Sequence, residues 1–205
     1  FIRSMATRGS LGGLARATKE VVDVLEAFGL DTLLVETVGV GQTEMDIAGT
    51  ADTTVVVLSP ESGDSIQAMK AGLMEAADVL VVNKSDRPGA DQMVSTLEAD
   101  LHMRPASDWM PPVIQAVAVR GEGVPELVEA VARHQSHLAE GGDLERRRRR
   151  RIETEIMAVV RDRLWRRATR RTAAELPAWA DRVAAGDASP YAAARALLAD
   201  LLEDE

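Results

Sequence analysis

Val79-Leu80-Val81-Val82-Asn83-Lys84-Ser85-Asp86 is an unbroken apolar run that ends in four polar residues. An aliphatic run without polar alternation suits a strand covered on both faces, as in a parallel α/β sheet. The polar tetrapeptide then falls at the carboxyl end of that strand, where open α/β sheets bind ligands. A carboxylate there, at Asp86, can accept two hydrogen bonds, from the N1–H and the 2-amino group of guanine. Adenine offers an acceptor at N1 and has no 2-amino group, so the same carboxylate rejects it. Asn83 is expected to tie the loop together and face the N7/O6 edge, with the Lys84 stem over the base plane. The competing reading is a solvated turn; the buried strand in front favours guanine recognition.

Outward from this strand the pattern alternates. Leu14 to Phe28 carries apolar residues at helical spacing and stops at Gly29. Thr32–Thr37 reads as a strand, Thr43–Ala48 as a short helix, and Thr53–Leu58 as a second buried strand. Ser65–Ala77 is expected to be helical, as are Pro88–Leu101 and Val124–Leu138, with a strand over Pro112–Val119 between the last two. Strands separated by helices of this length predict crossover connections and a parallel sheet. After Val119 no strand signal recurs. Asp143–Arg171 reads as one long helix, Pro177–Ala185 as a second, and Ser189-Pro190 caps a third running to Leu202. The expected class is therefore α/β, a parallel sheet flanked by helices, with an all-helical C-terminal extension. Residues 1–142 would form the first domain and residues 143–205 the extension, divided near Gly141-Gly142.

Composition sets limits on function. The 205 residues are 46% hydrophobic but only 3% aromatic, so the core is aliphatic. With no cysteine, disulfides and thiolate metal sites are excluded. The net charge of −9 is uneven: residues 1–142 hold 10 Lys+Arg against 21 Asp+Glu, and residues 143–205 hold 14 against 12. An acidic body argues against nucleic acid as a partner. No apolar run approaches a membrane span and no signal peptide is evident, so a soluble, cytoplasmic protein is expected. The chain opens on Phe1-Ile2-Arg3, which reads as a strand end and predicts that the natural protein extends upstream.

A second motif is Glu36-Thr37-Val38-Gly39, at the end of the Thr32–Thr37 segment. Nucleotide hydrolases place an acidic residue and then a glycine here: Glu36 would hold Mg²⁺ through a water, and the Gly39 amide would point at the γ-phosphate. Most such proteins have Asp where this one has Glu36. The alternative is a strand-end glutamate before a glycine turn. A third segment, Val117-Ala118-Val119-Arg120-Gly121, stands where guanine sites usually carry Ser-Ala-x-x-Gly. The Ala118 amide would reach guanine O6, and Val117 removes a hydroxyl that steadies such loops. By contrast, no G-x-x-x-x-G-K-[ST] sequence occurs in the chain. Without it there is no amide cradle for the α/β-phosphates, so these 205 residues alone are expected to bind nucleotide poorly and hydrolyse it negligibly.

With these residues in view, the chain resembles the methylmalonyl-CoA mutase-associated GTPases of the MeaB/ArgK type. The resemblance is carried by FIRSMATRGSLGGLA (1–15), ETVGVGQTE (36–44), GDSIQAMKAG (63–72), NKSD (83–86), WMPPV (109–113) and the tail from DLERRRRRR (143–151). It implies a P-loop GTPase fold lacking its N-terminal phosphate-loop part, working as a homodimer with GTP and Mg²⁺. It also implies a chaperone role for an adenosylcobalamin-dependent mutase. On this resemblance Asn83, Lys84, Asp86 and Val117–Val119 match the base site, while Glu36 and Gly39 match the metal and γ-phosphate motif. An older label on relatives, a kinase or ATPase of lysine/arginine/ornithine transport, conflicts with a guanine-reading Asp86. Alternatives are a non-catalytic dimerisation or mutase-docking fragment and a GTPase metallochaperone with another client. Gln42 and Lys70 are polar candidates to which no catalytic role is assigned.

Other residues have plainer readings. The Arg146–Arg151 run points in every direction around a helix and reads as a solvated surface or dimer rim, with Glu145, Glu153 and Glu155 as partners. His134 and His137 share a helix face and read as surface residues. Ile156, Val159, Val160 and Leu164 form an apolar stripe suited to packing within the tail or to self-association.

Overall fold

The computed structural model describes residues 1–5, 13–37, 49–60, 73–105 and 107–202. Its elements are α1 (Gly13–Ala27), β1 (Val55–Leu58), α2 (Leu73–Ala76), β2 (Val79–Asn83), α3 (Ala90–His102), β3 (Val113–Ala116), α4 (Val124–Glu140), α5 (Asp143–Thr172), α6 (Leu176–Ala184) and α7 (Pro190–Leu202). The chain divides into two compact units, Phe1–Arg148 and Arg149–Glu205, which part within α5.

The first unit is built on a parallel sheet of order β1-β2-β3. Val55 pairs with Val79 and Leu58 with Val82 on one side of β2; Leu80 pairs with Val113 and Asn83 with Ala116 on the other. The uninterrupted apolar run follows from this central position. Leu80 and Val82 point to one face, where they meet Val56, Leu58, Met74, Leu97 and Leu101 from β1, α2 and α3. Val79 and Val81 point to the other, against Ala116, Ala130 and the half-buried Leu127 and Val131 of α4. Both faces are covered, so alternation has no solvent side to record. Each of these β2 residues is at most 3% exposed.

Two expectations are corrected, and two more reach beyond the described residues. Thr32–Thr37 is irregular, and Leu34 is 93% exposed. A strand is held by its neighbour's ladder, and among the described residues nothing pairs with this segment. Of the helix expected over Ser65–Ala77, the described part is Leu73–Ala76; the rest, like the helix expected at Thr43–Ala48, lies outside the described residues. The fourth expected strand, Pro112–Val119, is only Val113–Ala116, because the chain turns at once into a 3-10 turn over Ala118–Arg120.

The second unit is helical, as the tail pattern predicts. Pro190 opens α7, and the Ser189 hydroxyl accepts the Ala192 amide at 3.2 Å, a side-chain cap on an otherwise orphaned donor. Among the described side chains of this unit only Ala193 is buried. Ile152, Ile156, Met157, Leu164 and Trp165 of α5 are all more than half exposed in the single chain.

Candidate functional site

The loop after β2 is shaped by backbone and side-chain bonds to the loop after β3. Lys84 sits at φ +57, the left-handed conformation that turns the chain sharply at the strand end. Asn83 Oδ1 accepts the Lys84 amide at 2.8 Å and the Ala118 amide at 3.1 Å. Ser85 fastens the same pair of loops: its amide and its hydroxyl both donate to the Ala116 carbonyl, at 3.0 and 2.8 Å. The adjoining turn closes through the Val117 amide, which donates to the Glu122 carbonyl at 3.0 Å. Gly123 completes it at φ +78, where a Cβ would lie 2.1 Å from the Gln115 carbonyl oxygen, so no side chain fits.

The sheet thus brings Asn83, Lys84, Asp86, Val117, Ala118 and Val119 to one carboxyl end. Val117 is buried, whereas Val119 is 95% exposed. Asp86 is 38% exposed at its side chain, with Arg120 Nη1 3.8 Å from Oδ2. The Ala118 amide, which the sequence reading aims at guanine O6, donates to Asn83 Oδ1, because the 3-10 turn directs it at the β2 loop. Val117 lacks the hydroxyl found at this position in related sites, and Ser85 supplies a tether between the same loops from the other side.

Glu36 is exposed and lies in the irregular 32–37 segment, while Gly39 falls outside the described residues. No group of three or more acidic, histidine or cysteine residues able to hold a metal ion occurs among the described residues. The described side chains alone therefore do not assemble a Mg²⁺ site.

A second polar cluster, at the opposite end of β2, was not legible in the sequence. Asp78 precedes the strand with a side chain 10% exposed. Its carboxylate accepts the Thr54 amide at 2.8 Å and both Arg147 terminal nitrogens, Nη1 at 3.2 Å and Nη2 at 3.1 Å. His134, with no exposed surface, places Nε2 3.2 Å from Asp78 Oδ1, off the hydrogen-bond line, and Nδ1 3.0 Å from the Thr53 hydroxyl. Trp109 donates from Nε1 to the Asp78 carbonyl at 2.8 Å and packs 4.8 Å from the His134 ring. Burial opposes the charged form of Asp78, but the close His134 ring and the bonds from Arg147 and the Thr54 amide outweigh it and lower its pKa.

Two expectations change accordingly. His134 is a core residue beside a carboxylate, because the face of α4 that carries it lies over the sheet. The arginine run is solvated only in part. Arg147 pairs with Asp78 and Arg148 with Asp52 at 3.1 Å, while Arg149 pairs with Glu153 along the helix. The signal available beforehand was a carboxylate set directly before a fully apolar strand; its partners lie far away in sequence.

Asn83→Ala is expected to cost about 1–2 kcal/mol, since two amides lose their acceptor. The check is the denaturation midpoint together with amide exchange at Ala118, which should quicken. Exchange at Ala118 unaltered by the substitution would mean Asn83 does not join the loops.

A parallel α/β sheet with two tethered loops at its carboxyl edge defines the class, the open α/β proteins, and the comparisons narrow it. Residues 1–173 match the family described as methylmalonyl Co-A mutase-associated GTPase MeaB, and the chain belongs to that family. A protein of Pyrococcus horikoshii named as a GTPase is 49% identical over 164 residues, 78% of this chain and 52% of that protein. A Caenorhabditis elegans protein named methylmalonic aciduria type A homolog, mitochondrial, is 36% identical over 169 residues, 80% of this chain and 42% of its own length. The solved structure titled LAO/AO transport system kinase superposes with a TM-score of 0.70 at 25% identity, covering 92% of this chain and 63% of that one. The chain spans about half the length of the curated relatives it matches.

Proposed function

We propose that the chain carries the guanine-reading part and the helical arm of a GTP-hydrolysing chaperone for an adenosylcobalamin-dependent methylmalonyl-CoA mutase. The observation that supports it most is the pair of loops after β2 and β3, tied through Asn83 and Ser85, with the Asp86 carboxylate at their mouth. Asp86 would accept the N1–H and 2-amino group of guanine, the Lys84 stem would cover the base, and Val119 would supply an exposed apolar edge. The Ala118 amide, already bonded to Asn83, would act by shaping the turn, and Val117 would seat it in the core. Glu36 and Gly39 are proposed to face the γ-phosphate end, with GTP arriving as its Mg²⁺ complex.

The mutase as partner rests on the family's description and on the name of the nematode relative. A homodimer is supported by the exposed apolar stripe of α5. We assign neither nucleic acid nor membrane as a partner, and no described helix is long and apolar enough to cross a bilayer. A second reading, a docking or dimerising fragment without turnover, is favoured for the 205 residues alone by their lack of a G-x-x-x-x-G-K-[ST] sequence.

The test is GTP turnover in two forms, the 205-residue chain and a version extended upstream with the phosphate-binding strand and loop of a family member. Turnover is expected only from the extended protein, and should change when a methylmalonyl-CoA mutase is added. Indifference to the mutase removes the chaperone reading; micromolar GTP binding by the 205 residues removes the claim that they are inactive alone.

A further inference from the structure

Beside Asp86 lies a charged pair, Arg120 and Glu122, to which the base-reading scheme gives no role; with Asp86 they form a trio. Arg120 is held edge-on by Glu122, Nε to Oε1 at 2.8 Å and Nη2 to Oε2 at 3.3 Å. This grip occupies one edge of the guanidinium, leaving Nη1 to face Asp86 Oδ2 at 3.8 Å, too far for a hydrogen bond. The backbone of Glu122 is anchored, since its carbonyl accepts the Val117 amide within the same turn. The turn enters and leaves through glycines at positive φ, Gly121 at +74 and Gly123 at +78. All three charged side chains are more than a third exposed.

A free guanidinium prefers a planar two-bond pairing with a carboxylate. Were Arg120 to pair in that way with Asp86, it would occupy both oxygens that a purine edge needs. We infer that Arg120 is a competitor for the Asp86 carboxylate and that Glu122 restrains it, keeping the carboxylate open to guanine. The inference rests on the reading of Asp86 as the base contact and adds to it a regulation of the same site. Anything that draws Glu122 away would let Arg120 compete with the base for Asp86. Because the trio is solvated, the competition is modest and falls as salt screens it.

The test is a double-mutant cycle with two readouts. In the 205-residue chain without nucleotide, the ¹³C shift of the Asp86 carboxyl at pH 7 reports a hydrogen-bonded guanidinium. It is expected to move in Glu122→Gln and to return towards the parent value in Glu122→Gln/Arg120→Met. In the extended protein, Glu122→Gln should weaken GDP binding about threefold at low salt. Arg120→Met should bind no more weakly than the parent, and the double variant should behave as Arg120→Met does. A carboxyl shift that ignores Glu122→Gln overturns the inference, as does an Arg120→Met variant that weakens GDP as much as Glu122→Gln does. If the extended parent binds no GDP at all, the guanine reading fails, while the carboxyl shift still decides whether Glu122 restrains Arg120.

Discussion

Asp78→Ala should lower folding stability by about 3 kcal/mol, near the low end for removing one partner of a buried ion pair. The loss has identifiable parts. The Thr54 amide loses its acceptor, and His134, with no exposed surface, is left facing a void in place of a carboxylate. Arg147 adds less, because its side chain is 43% exposed and can turn to water. Arg147→Met should accordingly cost about 1 kcal/mol. Urea denaturation checks both: the midpoint should fall in each, furthest in Asp78→Ala, with the slope unchanged. Equal losses in the two variants would show that Arg147, not burial of the whole cluster, accounts for the stability.

The same carboxylate sets a pH dependence. Its pKa is lowered in the folded chain, burial being outweighed by the nearby His134 ring and by the bonds from Arg147 and Thr54. A carboxylate with a depressed folded pKa contributes stability that is fully present above its unfolded value, about 3.9, and lost as pH falls through the folded one. The gap between parent and Asp78→Ala should therefore be constant near neutrality and narrow on acidification below about pH 4. A gap that stays constant into that range would show that the folded carboxylate gains nothing from being charged.

How much of this was legible beforehand depended on whether the deciding contacts were local. β2 was readable because burial on two faces writes itself as four consecutive aliphatics, and α5 to α7 because caps and breakers lie within a few residues of what they limit. Thr32–Thr37 has the composition of a strand, but a strand exists only with a neighbour, and composition does not supply one. At the candidate site, the Asn-Lys-Ser-Asp string and its strand-end position were legible. The destination of the Ala118 amide was not, since it depends on a bond between residues 35 apart. The Asp78 cluster was hidden for the same reason: Arg147 looked like one arginine among six, and only the fold selects it.

Asp86→Asn is expected to have the largest effect on function, a loss of guanine-nucleotide affinity of about 100-fold in the extended protein. Two charge-assisted hydrogen bonds are at stake, and about 3 kcal/mol corresponds to that ratio. The substitution also introduces a conflict. An asparagine amide group, placed where a carboxylate oxygen stood, points a donor at a guanine donor. Xanthine carries a carbonyl oxygen in place of the 2-amino group, so that donor would find an acceptor while the asparagine carbonyl still takes the N1–H. Calorimetry with GDP and xanthosine diphosphate should therefore show the preference reversed, not merely weakened. Asp86 is partly solvated and its contact with Arg120 is long, so circular dichroism and the denaturation midpoint should scarcely move. Loss of GDP affinity without a gain for xanthosine diphosphate would point to loop disturbance rather than base reading. Retention of the parent's guanine preference would remove Asp86 from the base site altogether, and with it the physical reason for calling this loop pair a guanine pocket.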